Sequence, residues 1–128
     1  MYFNEGSIGE LLSVVNNEDR EIIVDCFKSF TEYVNSVNLM EIKIKAAKSE
    51  NTSGEDFRML YEALDINRKR KHDSAIVSAR ILNRLAKIYK IKSIYIGDEN
   101  DRFEIAEFIG EIVNKVYLDG IIRRYSKE

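Results

Sequence analysis

The sequence predicts an all-α bundle of three to four helices, with one long central helix and a short extended segment before the last helix. Three observations predict it. The chain contains no proline, so its helices can run long and must end by other means. Its apolar residues recur at intervals of three and four over long stretches. One segment, Ser49-Glu50-Asn51-Thr52-Ser53-Gly54, is polar and turn-forming enough to separate one such stretch from the next.

Taken in order, a short first helix is expected over Ile8–Val15, with Ser7 as N-cap and Leu11, Leu12 and Val15 facing inward. Asn16-Asn17 breaks it, and Asn17 can cap a second helix whose opening Glu18, Asp19 and Glu21 suit the positive end of a helix dipole. That helix carries the stripe Ile23, Phe27, Phe30, Val34, Val37 and Ile44, widened by Ile22, Cys26 and Tyr33, and runs to about Lys48.

Ser53-Gly54-Glu55-Asp56 reads as a capping box that opens the third helix. Its main stripe is Phe57, Leu60, Tyr61, Leu64, Ala75, Ala79, Leu82, Leu85, Ala86 and Tyr89. A second apolar strip, Met59, Ala63, Ile66, Val77, Ile81 and Ile88, lies on another side. A helix from Glu55 to Tyr89 would be about 50 Å long at about 1.5 Å per residue. A globule of this size is only about 36 Å across. The third helix must therefore overhang, break near its basic block, or be covered by a second subunit. Two apolar sides on one helix favour the second subunit and hence a homodimer.

Lys90-Ile91-Lys92-Ser93-Ile94-Tyr95-Ile96 alternates at period two and predicts a short extended segment, possible as a lone edge strand, ending at Gly97-Asp98. Asp98 or Asn100 then caps the last helix, with Ile105, Ala106, Ile109, Ile112, Val113, Val116 and Tyr117 inward. Gly120 weakens its final turns, and Arg123 and Arg124 suit its negative end.

At 128 residues the chain fits a single helical domain spanning 1–128, and 45% hydrophobic with 33% charged residues suffices for a core and a solvated surface. The net charge of −2 gives no global pull toward nucleic acid or anionic membrane, so neither is an expected partner. Cys26 is the sole cysteine, which excludes an intrachain disulfide and fits a reducing, cytoplasmic setting. Met1-Tyr2-Phe3-Asn4-Glu5 lacks the basic and apolar pattern of a signal peptide. No apolar run approaches the roughly 20 residues of a membrane span.

The chemistry-bearing candidate is Asp65-Ile66-Asn67-Arg68-Lys69-Arg70-Lys71-His72-Asp73. Arg68 and His72, the only histidine, stand one turn apart on one face, with Asp65 and Asp73 nearby and Arg102 at the start of the last helix. A histidine as general acid/base beside an anion-stabilising arginine would suit phosphodiester cleavage. An interhelical polar clasp, with Arg68 paired to Asp25, Glu32, Glu104 or Glu111, is the favoured reading, because buried charge networks are often structural.

One histidine and one cysteine at no shared spacing do not make a metal set, and no metal is expected. The acidic turn Gly97-Asp98-Glu99-Asn100-Asp101 lacks the calcium-loop pattern and reads as a loop and cap. No glycine-rich phosphate loop or nucleophile elbow occurs, so no cofactor is expected. Cys26, between Ile22 and Phe30, reads as a small buried hydrophobe. Lys69, Arg80, Arg84 and Lys87 share one side of the third helix, but Asp73 and Glu62 make it an ordinary solvated face.

From Leu64 to Val116 the chain resembles a small bacterial family of uncharacterised helical proteins. The resemblance rests on Leu64-Asp65-Ile66-Asn67-Arg68-Lys69-Arg70-Lys71-His72-Asp73, Leu82-Asn83-Arg84-Leu85-Ala86, Ile94-Tyr95-Ile96-Gly97-Asp98 and Asp101-Arg102. It covers less than half the chain and implies a domain of unknown function, with no activity attached. A looser resemblance is to helical ribonuclease domains of the bacterial toxin-defence type, which carry Arg and then His at a longer interval. Only three residues separate Arg68 from His72 here, a departure that puts a catalytic carry-over in doubt.

The sequence therefore points first to a non-catalytic protein-interaction module, a homodimer or a binder of another protein. The alternatives are a metal-independent ribonuclease acting through Arg68 and His72, and an immunity- or antitoxin-like binder that uses the third helix.

Overall fold

The structure, a computed structural model, describes residues 2–115. Among these residues four helices follow one another: α1 (Glu5–Val14), α2 (Asn17–Ser49), α3 (Gly54–Ile88) and α4 (Arg102–Lys115). α2 and α3 form a long antiparallel hairpin. α1, α4 and residues 94–95 contribute to one hydrophobic cluster near its open end. The expected all-α bundle is what is found. Predicted inward positions Val116 and Tyr117, with Gly120, Arg123 and Arg124, lie outside the described residues.

α1 begins three residues earlier than the sequence suggests. Asn4 precedes it in extended conformation, and Ser7, the expected cap, is a buried residue of the first turn. The cause lies across the molecule. The Asn4 amide donates to the Ile94 carbonyl (2.9 Å) and the Ile96 amide to the Tyr2 carbonyl (2.8 Å), around a Phe3–Tyr95 antiparallel bridge. Residues 2–4 are thereby held extended, and the helix starts directly after them.

α2 is capped by Asn16, whose Oδ1 accepts from the Asp19 amide at 2.8 Å, and not by Asn17. Ser53 caps α3 as expected, accepting from the Asp56 amide at 3.2 Å. The cap of α4 is Asp101, not Asp98 or Asn100. Its Oδ1 accepts from the Phe103 and Glu104 amides (2.9 and 3.2 Å), whereas Asp98 Oδ1 accepts from the Asn100 amide within the turn.

The segment before α4 pairs through a single bridge and forms no strand among the described residues. Ile94 and Tyr95 are both buried, which breaks the expected alternation. Asn83 of α3 takes the place of a strand partner. Its Oδ1 accepts from the Ile94 and Tyr95 amides (2.9 Å each) and its Nδ2 donates to the Tyr95 carbonyl (3.0 Å). Gly97 then turns so tightly over Tyr95 that a Cβ there would collide with the phenol ring.

Phe108 of α4 is an aromatic hub. Its ring lies 5.8 Å from Phe30, 5.1 Å from Tyr95 and 6.0 Å from Phe3, and Phe30 meets Phe27 edge-on at 5.8 Å. Such contacts add about 0.5–1.5 kcal/mol each beyond area burial. Ile23, Phe27 and Phe30 of α2 face Ala75, Ala79, Leu82 and Ala86 of α3 in this core.

α3 does not break at its basic block; the hairpin overhangs. From Val37 to Leu64 only Ala47 is buried, while Met40, Ile44, Phe57, Leu60 and Leu64 are half-buried along the seam. Among the described residues this distal arm is two helices leaning on each other with no third layer. Among the described residues no helix is long and apolar enough to cross a membrane.

Candidate functional site

The polar residues singled out from the sequence gather at the root of the arm, where α2, α3 and the start of α4 meet, but they form two groups. In the first, Arg68 Nη2 binds Asp65 Oδ1 at 2.8 Å and Lys69 Nζ binds Asp65 Oδ2 at 3.1 Å, all on α3. The Arg68 hydrogen bond, then that of Lys69, holds the Asp65 carboxyl below its ordinary range, and Asp65 in turn pushes the Arg68 guanidinium up. In the second, Arg102 Nη2 of α4 binds Asp73 Oδ1 at 2.9 Å.

His72 sits between them. Its side chain is 15% exposed and its ring lies 5.1 Å from that of Tyr33 on α2, tilted by 54°. Burial, then the positive charge of Arg102, holds the imidazole below its usual value; Asp73, 4.0 Å from Nδ1, opposes that shift in part. The ring is therefore neutral near pH 7 and packed.

The expected interhelical clasp for Arg68 is not formed. Its carboxylate is Asp65, one turn back on its own helix. Of the anticipated partners, Glu32 takes Lys71 (3.3 Å), Glu104 accepts from the Asp98 amide (3.2 Å) and Glu111 from the Tyr2 amide (3.0 Å). Interhelical polar links do exist, carried by Lys71–Glu32, Arg102–Asp73 and a Ser29–Ser74 hydroxyl pair at 3.0 Å. Arg68 is partly exposed, takes its carboxylate from the i, i+3 position of its own helix, and meets α2 through the Tyr33 hydroxyl.

The basic side of α3 is partly used in structure: Lys69 is held by Asp65, and Arg80 donates to the Glu99 carbonyl at 3.0 Å. Arg84 and Lys87 line an open cleft of about 530 Å³ with Lys90, Lys92 and Glu99. Cys26 is buried, and burial pushes its thiol up to about 11, so it stays protonated and unreactive. No group of three or more His, Cys, Asp or Glu among the described residues is placed to hold a metal ion.

Among the described residues the second strip of α3 has no apolar cover. Met59, Ile66, Val77, Ile81 and Ile88 are 36% to 70% exposed, on the side opposite the buried stripe, and Ala63 is exposed in line with them. The roles of Asn83 and Phe108, which fix the segment facing this end of α3, are not legible in the sequence. An asparagine inside a helix and one more aromatic among several carry no distinctive spacing.

An all-α chain with an overhanging helical hairpin, four helices among the described residues, is thus the class of protein that the fold defines. By sequence it belongs to the DUF3232 family of proteins of unknown function, whose model matches residues 8–122. No curated protein and no solved structure matches the chain at a significant level.

Proposed function

We propose that this protein is a non-catalytic interaction module that self-associates through the outer face of α3. The observation that carries the reading is the exposed apolar strip of α3, with Met59, Ala63 and Ile66 on one side of Arg70 and Val77, Ile81 and Ile88 on the other. Scattered apolar side chains on a surface are ordinary, but a strip running the length of a helix is the usual mark of an interface. The shared core of all four helices supports treating the chain as one domain, and a single buried cysteine suits a reducing, cytoplasmic setting.

Asp65, Arg68, His72, Asp73 and Arg102 take a structural role in this reading. The guanidinium of Arg68 is occupied by Asp65, that of Arg102 by Asp73, and the His72 ring is packed at a tilt against Tyr33. A ribonuclease acting through His72 would need that ring to reach a substrate.

Two measurements test the reading. Sedimentation of the wild type and of Ile66→Lys/Ile81→Lys should give a dimer and a monomer of equal helicity. An unchanged dimer would move the interface away from this face. Incubation with single-stranded RNA should yield no cleavage; cleavage lost in His72→Gln at equal thermal stability would replace the reading with the enzymatic one.

A further inference from the structure

Four outward apolar residues of α3 form two mirrored pairs, and the two others, Ala63 and Val77, fall opposite Arg84 and Arg70. About the midpoint between Asp73 and Ser74, Met59 mirrors Ile88, Ile66 mirrors Ile81, and Arg70 mirrors Val77. All six are exposed, and so are Asp73 and Ser74 at the centre. A long aliphatic side chain thus stands opposite another, and the long Arg70 stands opposite the small Val77. We infer that α3 pairs antiparallel with α3 of a second copy of this chain, about a two-fold axis passing between Asp73 and Ser74.

This rests on the self-association proposed above and adds its register. A two-fold interface brings one patch against itself, so a self-complementary order is the requirement for closure. The spacing of the strip, in steps of three and four, is that of a seam between two helices packed nearly parallel or antiparallel.

Charge selects the same arrangement. Among the described residues Arg70 and Arg84 make no ion pair within the chain. In the antiparallel register Arg84 comes beside Glu62 of the second copy, and Arg70 comes one turn from its Asp73. A rotation about an axis perpendicular to the helices brings the same flank of each helix together. Glu62 and Arg84 lie on one flank of the strip, and so each Glu62 meets an Arg84, while Asp73, on the same flank at the axis, is neutralised within its own chain by Arg102. A parallel pairing in register would instead set Arg70 on Arg70 and Arg84 on Arg84.

Cysteine cross-linking of the full chain tests the register. Cys26 is 3% exposed and stays out of the reaction. Arg70→Cys and Val77→Cys are made singly, mixed, exchanged and mildly oxidised, with light scattering on each before oxidation. The register predicts that the mixture forms the mixed disulfide predominantly, at least several-fold over either variant alone, because each residue faces the other and lies about 10 Å along the axis from its own copy. The pair Ile66→Cys and Ile81→Cys should behave in the same way, which guards against one substitution weakening the dimer. Self-cross-linking of each single variant would overturn the register in favour of parallel pairing. A dimer with no cross-link in either pair would overturn it in favour of another face. A monomer by light scattering in the wild type would remove both the register and the self-association on which it rests.

Discussion

At Asn83 a single side chain satisfies three backbone groups of residues 94 and 95 that a neighbouring strand would otherwise serve. Leaving such groups without partners costs about 1–3 kcal/mol each. Asn83→Ala is therefore expected to destabilise the fold by about 2–4 kcal/mol in urea melts, and Asn83→Asp, which keeps the acceptor, by less. Arg68 should behave differently. Its pair with Asp65 is partly exposed and within one helix, so Arg68→Ala should lower stability in urea melts by no more than about 1 kcal/mol. A loss near the roughly 3–5 kcal/mol of a broken buried pair would mean that Arg68 is tied to a carboxylate of another helix after all. His72 gives a pH dependence. Its folded pKa lies below the unfolded value of about 6.5, so the unfolded chain binds the proton more readily. Its contribution is complete above that value and is lost as pH falls below it. Asp65 contributes in the same direction but lower, as pH falls through the ordinary carboxylate range. Thermal melts should show a decline beginning near pH 6.5 in the wild type that His72→Gln flattens.

Among the elements, α2 and α3 are legible in the sequence because their caps and stripes are local. Ser53 and Asp56 stand three residues apart, and Ile23, Phe27 and Phe30 keep helical spacing. Departures arise where distant chain decides. Nothing near Ser7 reveals that residues 2–4 are pinned to residues 94–96, so the sequence places the start of α1 too late. The alternation in residues 90–96 suggests a strand, yet Asn83 clamps Ile94 and Tyr95 so that both are buried. The polar cluster is legible as a set of residues and its pairing is not, since an Asp on the same helix and one on another look alike in sequence. The arm carries a prediction of its own. Among the described residues nothing forms a third layer on it, so amides of residues 38–49 in α2 should exchange with deuterium faster than those of residues 23–30, which lie in the core. Equal protection along α2 would indicate cover over its outer half.

Across the whole molecule, the overhang and the exposed strip are one problem. Two helices of about 50 Å cannot both be covered by α1 and α4, which together are shorter than either. The interior is complete at one end, where Phe108 joins α2, the N-terminal segment and Tyr95, while the outer face of α3 keeps its apolar side chains in water. A second copy laid along α3 would cover that face for its whole length. Light scattering over a range of micromolar concentrations is the decisive measurement. Self-association through α3 predicts a mass of twice the chain's 14.9 kDa that falls toward 14.9 kDa on dilution or on introducing lysine at Ile66 and Ile81. A mass of 14.9 kDa at every concentration would contradict it.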